Sequence, residues 1–260
     1  MRLDRVVCEK LACSRVRAQE VIKSGAVFVD GKVQTKPAFE VEGQKVEIKE
    51  GKMYVSRGAF KLAGAIGKFG FDLNGKVVLD IGASTGGFSE VCLENGAKKV
   101  YALDVGKSQL DKKLKLDKRV VDIENTDFRE VSKEAFQDVD FITGDLSFIS
   151  LRHIFPKIVE IFGASKEICM LFKPQFECGK ELAKKFKGVV LDKKLHKNLL
   201  EEFCLYLKGL GFKISGLCYS SIQGKEGNIE YLFYLNGEQN FDGNVSKVVD
   251  EAFENLKKIR

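Results

Sequence analysis

Asp80, Asp104, Asp145 and Lys173 each stand where a short apolar run stops, in VVLD, VYALD, FITGD and CMLFK, and Glu230 stands where another begins, in EYLFYL. If those runs are parallel strands, their carboxyl ends share one edge, and side chains emerging there converge. A lysine beside carboxylates can hold or accept a proton, and a strand-end carboxylate can take hydrogen bonds from ribose hydroxyls. A second lysine, Lys61, lies in SRGAFKLAGAIGKF among Ala59, Phe60, Leu62, Ala63 and Ile66, an apolar face that would carry it toward the interior.

Between Asp80 and a helical pattern runs IGASTGGF, residues 81–88, containing Gly82, Ala83, Ser84, Gly86, Gly87 and Phe88. A turn this small lets backbone approach a ligand closely, and Ser84 or Thr85 can cap the next helix. A nicotinamide cofactor, a nucleoside triphosphate, S-adenosylmethionine and a plain tight turn all fit that description. No G-K-[ST] follows, which excludes a P-loop, and G-x-G-x-x-G fails because position 84 is Ser. The acidic strand end at Asp80 suits a zwitterion carrying a sulfonium better than it suits a diphosphate. Asp104 stands 22 residues beyond Gly82 with Val105 behind it, a spacing at which a carboxylate meets a ribose in either kind of site.

These residues need a parallel sheet to hold them. From residue 56 onward strand-like runs alternate with helical patterns: VVLDI, KVYALDV, RVVDIEN, VDFITGDL and KEICMLFK, with helices between them. Such alternation predicts a doubly wound, Rossmann-like α/β sheet. The last two runs, KISGLCYSSI and NIEYLFYLNG, are too close for a crossover helix and must pair antiparallel.

Seven scattered cysteines, none in a C-x-x-C pair, read as thiols rather than as a disulfide frame or a zinc site. Two distant histidines, His153 and His196, argue against a histidine metal centre or a Ser-His-Asp triad, so no metal is expected. No run approaches the roughly 20 apolar residues that span a bilayer, and the charged start MRLDRVVCEK is no secretory signal. A cytoplasmic monomer is the expectation. Net charge is only +6, but Lys and Arg outnumber acids eight to four up to Lys36 and eight to three from Lys173 to Lys197. Two basic runs flanking a site favour a polyanionic substrate.

Residues 1–50 form a different pattern. Leu3, Val6, Val7 and Leu11, then Val16, Val21 and Ile22, recur at helical spacing, with Ser14 as an N-cap and Asp30-Gly31 as a hairpin turn. Arg2, Arg5, Arg15 and Arg17 gather near two helix starts, which opposes the helix dipoles and suggests a partner that supplies negative charge. The stretch RLDRVV…SRVRAQEVIKSGAVFVDGKVQTKPAFEV resembles the S4 RNA-binding domain, a small α+β module. That resemblance implies contact with structured RNA through Arg2, Arg5, Arg15, Arg17, Lys23 and Lys32. A linker over 51–55 containing KMYV then joins it to a second domain over 56–260.

Lys61, Asp145, Lys173 and Glu230 together are similar to the lysine–aspartate–lysine–glutamate tetrad of FtsJ-type ribose 2′-O-methyltransferases. The order of SRGAFKL, DIGASTGGF, DLSFISL and KPQFE behind an S4-like module resembles the TlyA-type ribosomal RNA methyltransferases, historically labelled hemolysins. The resemblance implies an S-adenosylmethionine-dependent methyltransferase sheet ending in an antiparallel hairpin. It implies a cofactor site built from Asp80, Gly82, Ala83, Ser84, Gly86, Gly87, Phe88, Asp104, Val105 and Asp145, with Asp127 and Phe128 of TDFRE at the adenine. It implies methylation of a ribose, on a cytidine of 23S rRNA and in some relatives of 16S rRNA as well, within ribosomal subunits. The chain begins directly at RLDR, as in the shorter members associated with the large subunit alone. Lys173 is expected to meet the attacking hydroxyl, as a base or as a cationic orienter, with Asp145 and Lys61 keeping it in register. A non-catalytic ribosome-assembly protein, a nicotinamide-dependent oxidoreductase and a membrane-lysing protein are the competing functions.

Overall fold

The computed structural model describes residues 1–23, 26–34, 36–48 and 54–256, and only the backbone of Lys23, Lys32 and Val33. The linker residues Lys52 and Met53, and the side chains of Lys23 and Lys32, lie outside the described part. The chain divides into two compact units, Met1–Arg57 and Gly58–Arg260.

In the first unit α1 (Leu3–Leu11) and α2 (Arg15–Lys23) pack on a three-stranded antiparallel sheet of β1 (Val27–Val29), β2 (Lys32–Val33) and β3 (Val46–Ile48) in the order β2-β1-β3. Ser14 Oγ accepts from the N–H of Arg17 at 3.3 Å, as an N-cap does. Asp30 and Gly31 turn the hairpin with φ of +47° and +75°, the left-handed pair that a two-residue hairpin loop requires. Leu3, Val7, Ala18, Val21, Ile22, Val27, Val29 and Val46 form its core.

The second unit begins with α3 (Ala59–Phe69) and β4 (Val77–Ile81), then α4 (Gly87–Glu94), β5 (Lys99–Leu103), α5 (Lys112–Lys115), β6 (Val120–Ile123) and β7 (Phe141–Gly144). It continues through α6 (Phe155–Phe162), β8 (Glu167–Phe172), α7 (Pro174–Glu177), α8 (Lys180–Lys185), α9 (Lys193–Gly209), β9 (Ile214–Tyr219), β10 (Tyr231–Leu235) and α10 (Val245–Leu256). The seven strands lie in the order β6-β5-β4-β7-β8-β10-β9. The pairs β4–β5, β4–β7, β5–β6 and β7–β8 are parallel, while β10 is antiparallel to both β8 and β9. The expected antiparallel hairpin is therefore present, but its second strand is threaded inward. The crossover through α9 leaves a gap one strand wide beside β8, and β10, buried along its whole length, fills it.

That insertion decides where Glu230 goes. Tyr231 pairs with Phe172, so the start of β10 lies beside the end of β8, and Glu230 reaches the edge where Lys173 emerges. α3 is fixed across β9 and β10: Phe69 stacks on Tyr234 at 5.5 Å, and a Cβ on Gly216 would lie 2.5 Å from the Phe69 ring. Lys61, Ala65 and Phe69 recur every four residues on the buried stripe of α3, so the packing that seats Phe69 also turns Lys61 inward.

Candidate active site

Lys61 and Lys173 are each 7% exposed and Glu230 2%. Burying ammonium groups this far is unfavourable unless charge meets them. Asp145, one residue beyond β7, supplies it to both: its Oδ2 lies 3.0 Å from Lys61 Nζ and its Oδ1 2.6 Å from Lys173 Nζ. Lys61 Nζ also lies 2.8 Å from Glu230 Oε2. Two cations and two anions thus form a balanced chain, Glu230–Lys61–Asp145–Lys173. Burial pushes the Asp145 carboxyl up, but the ammonium charges of Lys61 and Lys173 outweigh it and hold the group below the usual range. Burial likewise lowers Lys61, and Asp145 and Glu230 more than reverse that, so Lys61 remains a cation above the ordinary lysine range.

Two further side chains complete the cluster. Lys173 Nζ donates to Ser147 Oγ at 2.7 Å, and Gln175 Nε2 donates to Glu230 Oε1 at 3.2 Å. Ser147 and Gln175 lie within DLSFISL and KPQFE, two residues past the strand-end Asp145 and Lys173, and that proximity is the sequence signal for them.

Beside the cluster opens a cleft of about 980 Å³ along the carboxyl edge of β4, β5 and β7. Of the residues expected to hold a cofactor, Gly82, Ser84, Asp104, Val105, Asp127, Phe128 and Asp145 line it. Asp80, Ala83, Gly86, Gly87 and Phe88 are not on its wall; Asp80 is fully buried inside β4, where its Oδ2 accepts from Ser89 Oγ at 2.6 Å. Desolvation raises the Asp80 carboxyl to about 7, partly offset by the Ser89 hydroxyl. Asp80 therefore braces the start of α4 beneath the loop.

The loop itself differs from expectation in one respect. Neither Ser84 nor Thr85 caps α4: Gly86 occupies that position with φ of +92°, and no side chain bonds there. Ser84 has φ of +50° and turns its hydroxyl to Gln109 Oε1 at 3.2 Å, while its N–H donates to Asp104 Oδ2 at 2.8 Å. Asp104 Oδ1 accepts from the N–H of Gly106 at 2.7 Å. One carboxylate thus ties the loop after β4 to the turn after β5. Each oxygen keeps a second lone pair for a ligand hydroxyl.

Farther along, Asp127 is engaged by Arg129, whose Nε lies 3.0 Å from Oδ1 and whose Nη2 lies 2.5 Å from Oδ2; these bonds and the guanidinium charge hold Asp127 below the usual carboxylate range. Phe128 is buried, but Val105 is exposed on the cleft wall, an apolar surface open to a flat ring. The donor set fits a nucleoside: carboxylate acceptors at Asp104, apolar wall at Val105 and Phe128, and backbone at Gly82 and Ser84. At the opposite lip Phe148, 92% exposed, lies 5.2 Å from the ring of Phe176.

The arginines of the first unit are arranged unexpectedly. Asp4, fully buried in the first turn of α1, accepts from Arg2 Nη2, Arg15 Nε and Gln19 Nε2, each at 3.0 Å. The Arg2 bond in particular holds Asp4 well below the usual carboxylate range. The negative charge that the helix starts call for therefore comes from within the unit and does not require a partner. Arg17 bonds Glu20 at 3.3 Å and the Tyr54 carbonyl, whereas Arg5 is exposed.

Among the described residues no helix is long and apolar enough to cross a membrane, and no group of His, Cys, Asp and Glu could hold a metal ion.

Comparison with known proteins matches these features. The FtsJ-like methyltransferase family covers residues 54–237, and the S4 domain covers residues 1–46. The chain is 41% identical over 239 residues to the 16S/23S rRNA (cytidine-2′-O)-methyltransferase TlyA of Mycobacterium tuberculosis, spanning 90% of this chain and 89% of that one. It is 38% identical over 255 residues to the 23S rRNA (cytidine-2′-O)-methyltransferase TlyA of Campylobacter jejuni, spanning 90% and 98%. A solved structure of a candidate hemolysin from Streptococcus thermophilus superposes with a TM-score of 0.76 at 37% identity, covering 99% of this chain and 97% of that one. The chain belongs to the FtsJ-like methyltransferases, which depend on S-adenosylmethionine, and carries an S4 domain in front of the catalytic fold.

Proposed function

We propose that the protein methylates the 2′-hydroxyl of a cytidine ribose in ribosomal RNA, in the cytoplasm, with 23S rRNA of the large subunit as the principal target. The supporting observation is the ion-paired chain Glu230–Lys61–Asp145–Lys173 at the mouth of a nucleoside-sized cleft. The target base and subunit rest on the activities of the TlyA relatives.

Asp104 would hold the cofactor's ribose, Val105 and Phe128 its adenine, and Gly82 and Ser84 the methionine end. When bound, S-adenosylmethionine supplies an electrophilic methyl group on a positively charged sulfur. Transfer needs the ribose oxygen in line with that methyl and rid of its proton as the bond forms. Lys173 is assigned to that proton. Its Nζ lies 2.6 Å from Asp145 Oδ1 and donates to Ser147 Oγ at 2.7 Å, two contacts that fix it beside the hydroxyl. Lys61 stays charged and fixes both carboxylates, so Asp145 keeps its orientation during transfer.

A target cytidine turned out of its helix would present both its 2′-hydroxyl and its base to this cleft. Phe148 and Phe176 offer a surface on which an extruded base can rest; such stacking contributes about 1–3 kcal/mol per base. Arg2, Arg5, Arg15, Arg17, Lys23 and Lys32 are assigned to the RNA backbone; among the described arginines of this set, Arg5 is exposed while Arg2, Arg15 and Arg17 are ion-paired.

Mapping 2′-O-methyl groups on ribosomal RNA from cells with and without the protein tests the proposal. A cytidine methylated only when the protein is present supports it. Identical maps, or a difference confined to base methylation, overturn it.

A further inference from the structure

Asp145 to Ser150 form the segment between β7 and the 3-10 turn Leu151–His153, and with the first residue of that turn it is tied twice to one short stretch of chain. At its front, Lys173 holds Asp145 Oδ1 at 2.6 Å and Ser147 Oγ at 2.7 Å. At its rear, Glu177 accepts from Ser150 Oγ at 2.6 Å and from the N–H of Leu151 at 2.7 Å. Lys173 and Glu177 sit at the two ends of α7, one helical turn apart.

Between the ties, Phe148 adopts φ of +64° and projects almost wholly into solvent. A bulky residue avoids the left-handed region, and an aromatic ring avoids water, so neither feature is Phe148's own preference. Both are imposed from outside. The ring comes to lie 5.2 Å from Phe176, the residue immediately before Glu177.

We infer that Glu177 is a positioning residue: its carboxylate fixes the rear of this segment so that Phe148, its ring tilted 45° to that of Phe176, stands with it as an aromatic rest for the target base. Both carboxylate oxygens are used, one on a hydroxyl and one on a backbone N–H. A glutamine has a single acceptor oxygen and would set an N–H₂ against one of those donors, so it cannot replace both bonds. Burial raises the Glu177 carboxyl, and the Ser150 and Leu151 bonds and the nearby Arg152 and His153 charges draw it back.

This reading rests on the function proposed above for its purpose, but not for its geometry, and the two are tested separately. 4-Fluorophenylalanine placed at position 148 should give a ¹⁹F resonance displaced by the Phe176 ring, with Phe176→Ala as the reference. In Glu177→Gln, and in Glu177→Ala if Gln folds differently, the resonance should move toward the Phe176→Ala value. An unmoved resonance overturns the inference. With RNA as substrate, Glu177→Gln and Phe148→Ala should each lower kcat/KM about tenfold, the scale of one base–aromatic stack, with unchanged affinity for S-adenosylmethionine. Because one residue acts through the other, the double variant should lose no more than the worse single variant. Losses that multiply overturn the inference. If wild-type protein transfers no methyl group to RNA, the functional proposal fails, and the resonance alone still decides the positioning role.

Discussion

Replacing Asp145 by Asn removes the one anion shared by both buried lysines while keeping the side chain's size. Lys61 retains Glu230 at 2.8 Å, while Lys173 retains the Ser147 hydroxyl and the Phe176 ring but no anion, so the cluster passes from neutral to one excess positive charge. Breaking a buried pair typically costs about 3–5 kcal/mol, and because the Asp145 side chain is 21% exposed the loss falls near the low end, about 3 kcal/mol. For a unit of this size that corresponds to a Tm lower by about 6–12 °C. The deficit has a pH signature. Asp145 lies below its ordinary value when folded, so its contribution is complete above about pH 4 and fades as pH falls through the lower folded value. Lys61 lies above its ordinary value, so its contribution is complete below about pH 10 and fades as pH rises through the higher folded value. Calorimetric scans of wild-type and Asp145→Asn across pH should therefore show a gap that is widest near neutrality and narrows at both extremes. A neutral-pH gap below about 2 °C, or one that persists unchanged into acid, would refute the charge argument.

Three other outcomes follow from the same structure. His196 is fully buried, with Nδ1 at 2.8 Å from the Tyr231 hydroxyl and Nε2 at 2.9 Å from the Val190 carbonyl, and burial lowers it to about 4. The unfolded chain takes up a proton near 6.5, so stability should rise by about 3 kcal/mol between pH 4 and 6.5, a slope that urea titrations of His196→Gln should find missing. At Gly86, φ of +92° and a Cβ only 2.1 Å from Leu114 Cδ1 make alanine doubly unfavourable. Gly86→Ala should lose about 2 kcal/mol by chemical denaturation, since strain adds to a forced shift of Leu114. Asp4→Asn should destabilise the first unit by about 3 kcal/mol and weaken RNA binding, while calorimetric titration finds affinity for S-adenosylmethionine unchanged.

How much of this the sequence displays depends on how local each cause is. Asp104, Asp145 and Lys173 are legible because an apolar run that stops at a charge marks a strand end, and parallel strands bring those ends together. Phe69 and Lys61 share a helical stripe that periodicity reveals. The second partner of Lys61 is not legible in that way, because Glu230 arrives only through the insertion of β10 between β8 and β9. Ser84 looks like a helix cap from its type and place, yet its left-handed backbone sends the hydroxyl to Gln109 instead. Asp127 lines the cleft, while its pairing with Arg129 two residues away shows only in the structure. Nothing in the spacing of residues 1–23 marks Asp4, and only the packing of α2 against α1 brings Arg15 and Gln19 to it beside Arg2.

The assignment of Lys173 is tested most directly by methyl transfer in vitro. Purified protein, S-adenosylmethionine labelled in its methyl group, and ribosomal subunits from cells lacking the protein would be combined, and the RNA digested and analysed. The expected result is label on the 2′-oxygen of a cytidine, and its loss in Lys173→Ala while calorimetry still finds S-adenosylmethionine bound as in the wild type. Label on a base, or undiminished transfer by Lys173→Ala, would contradict it.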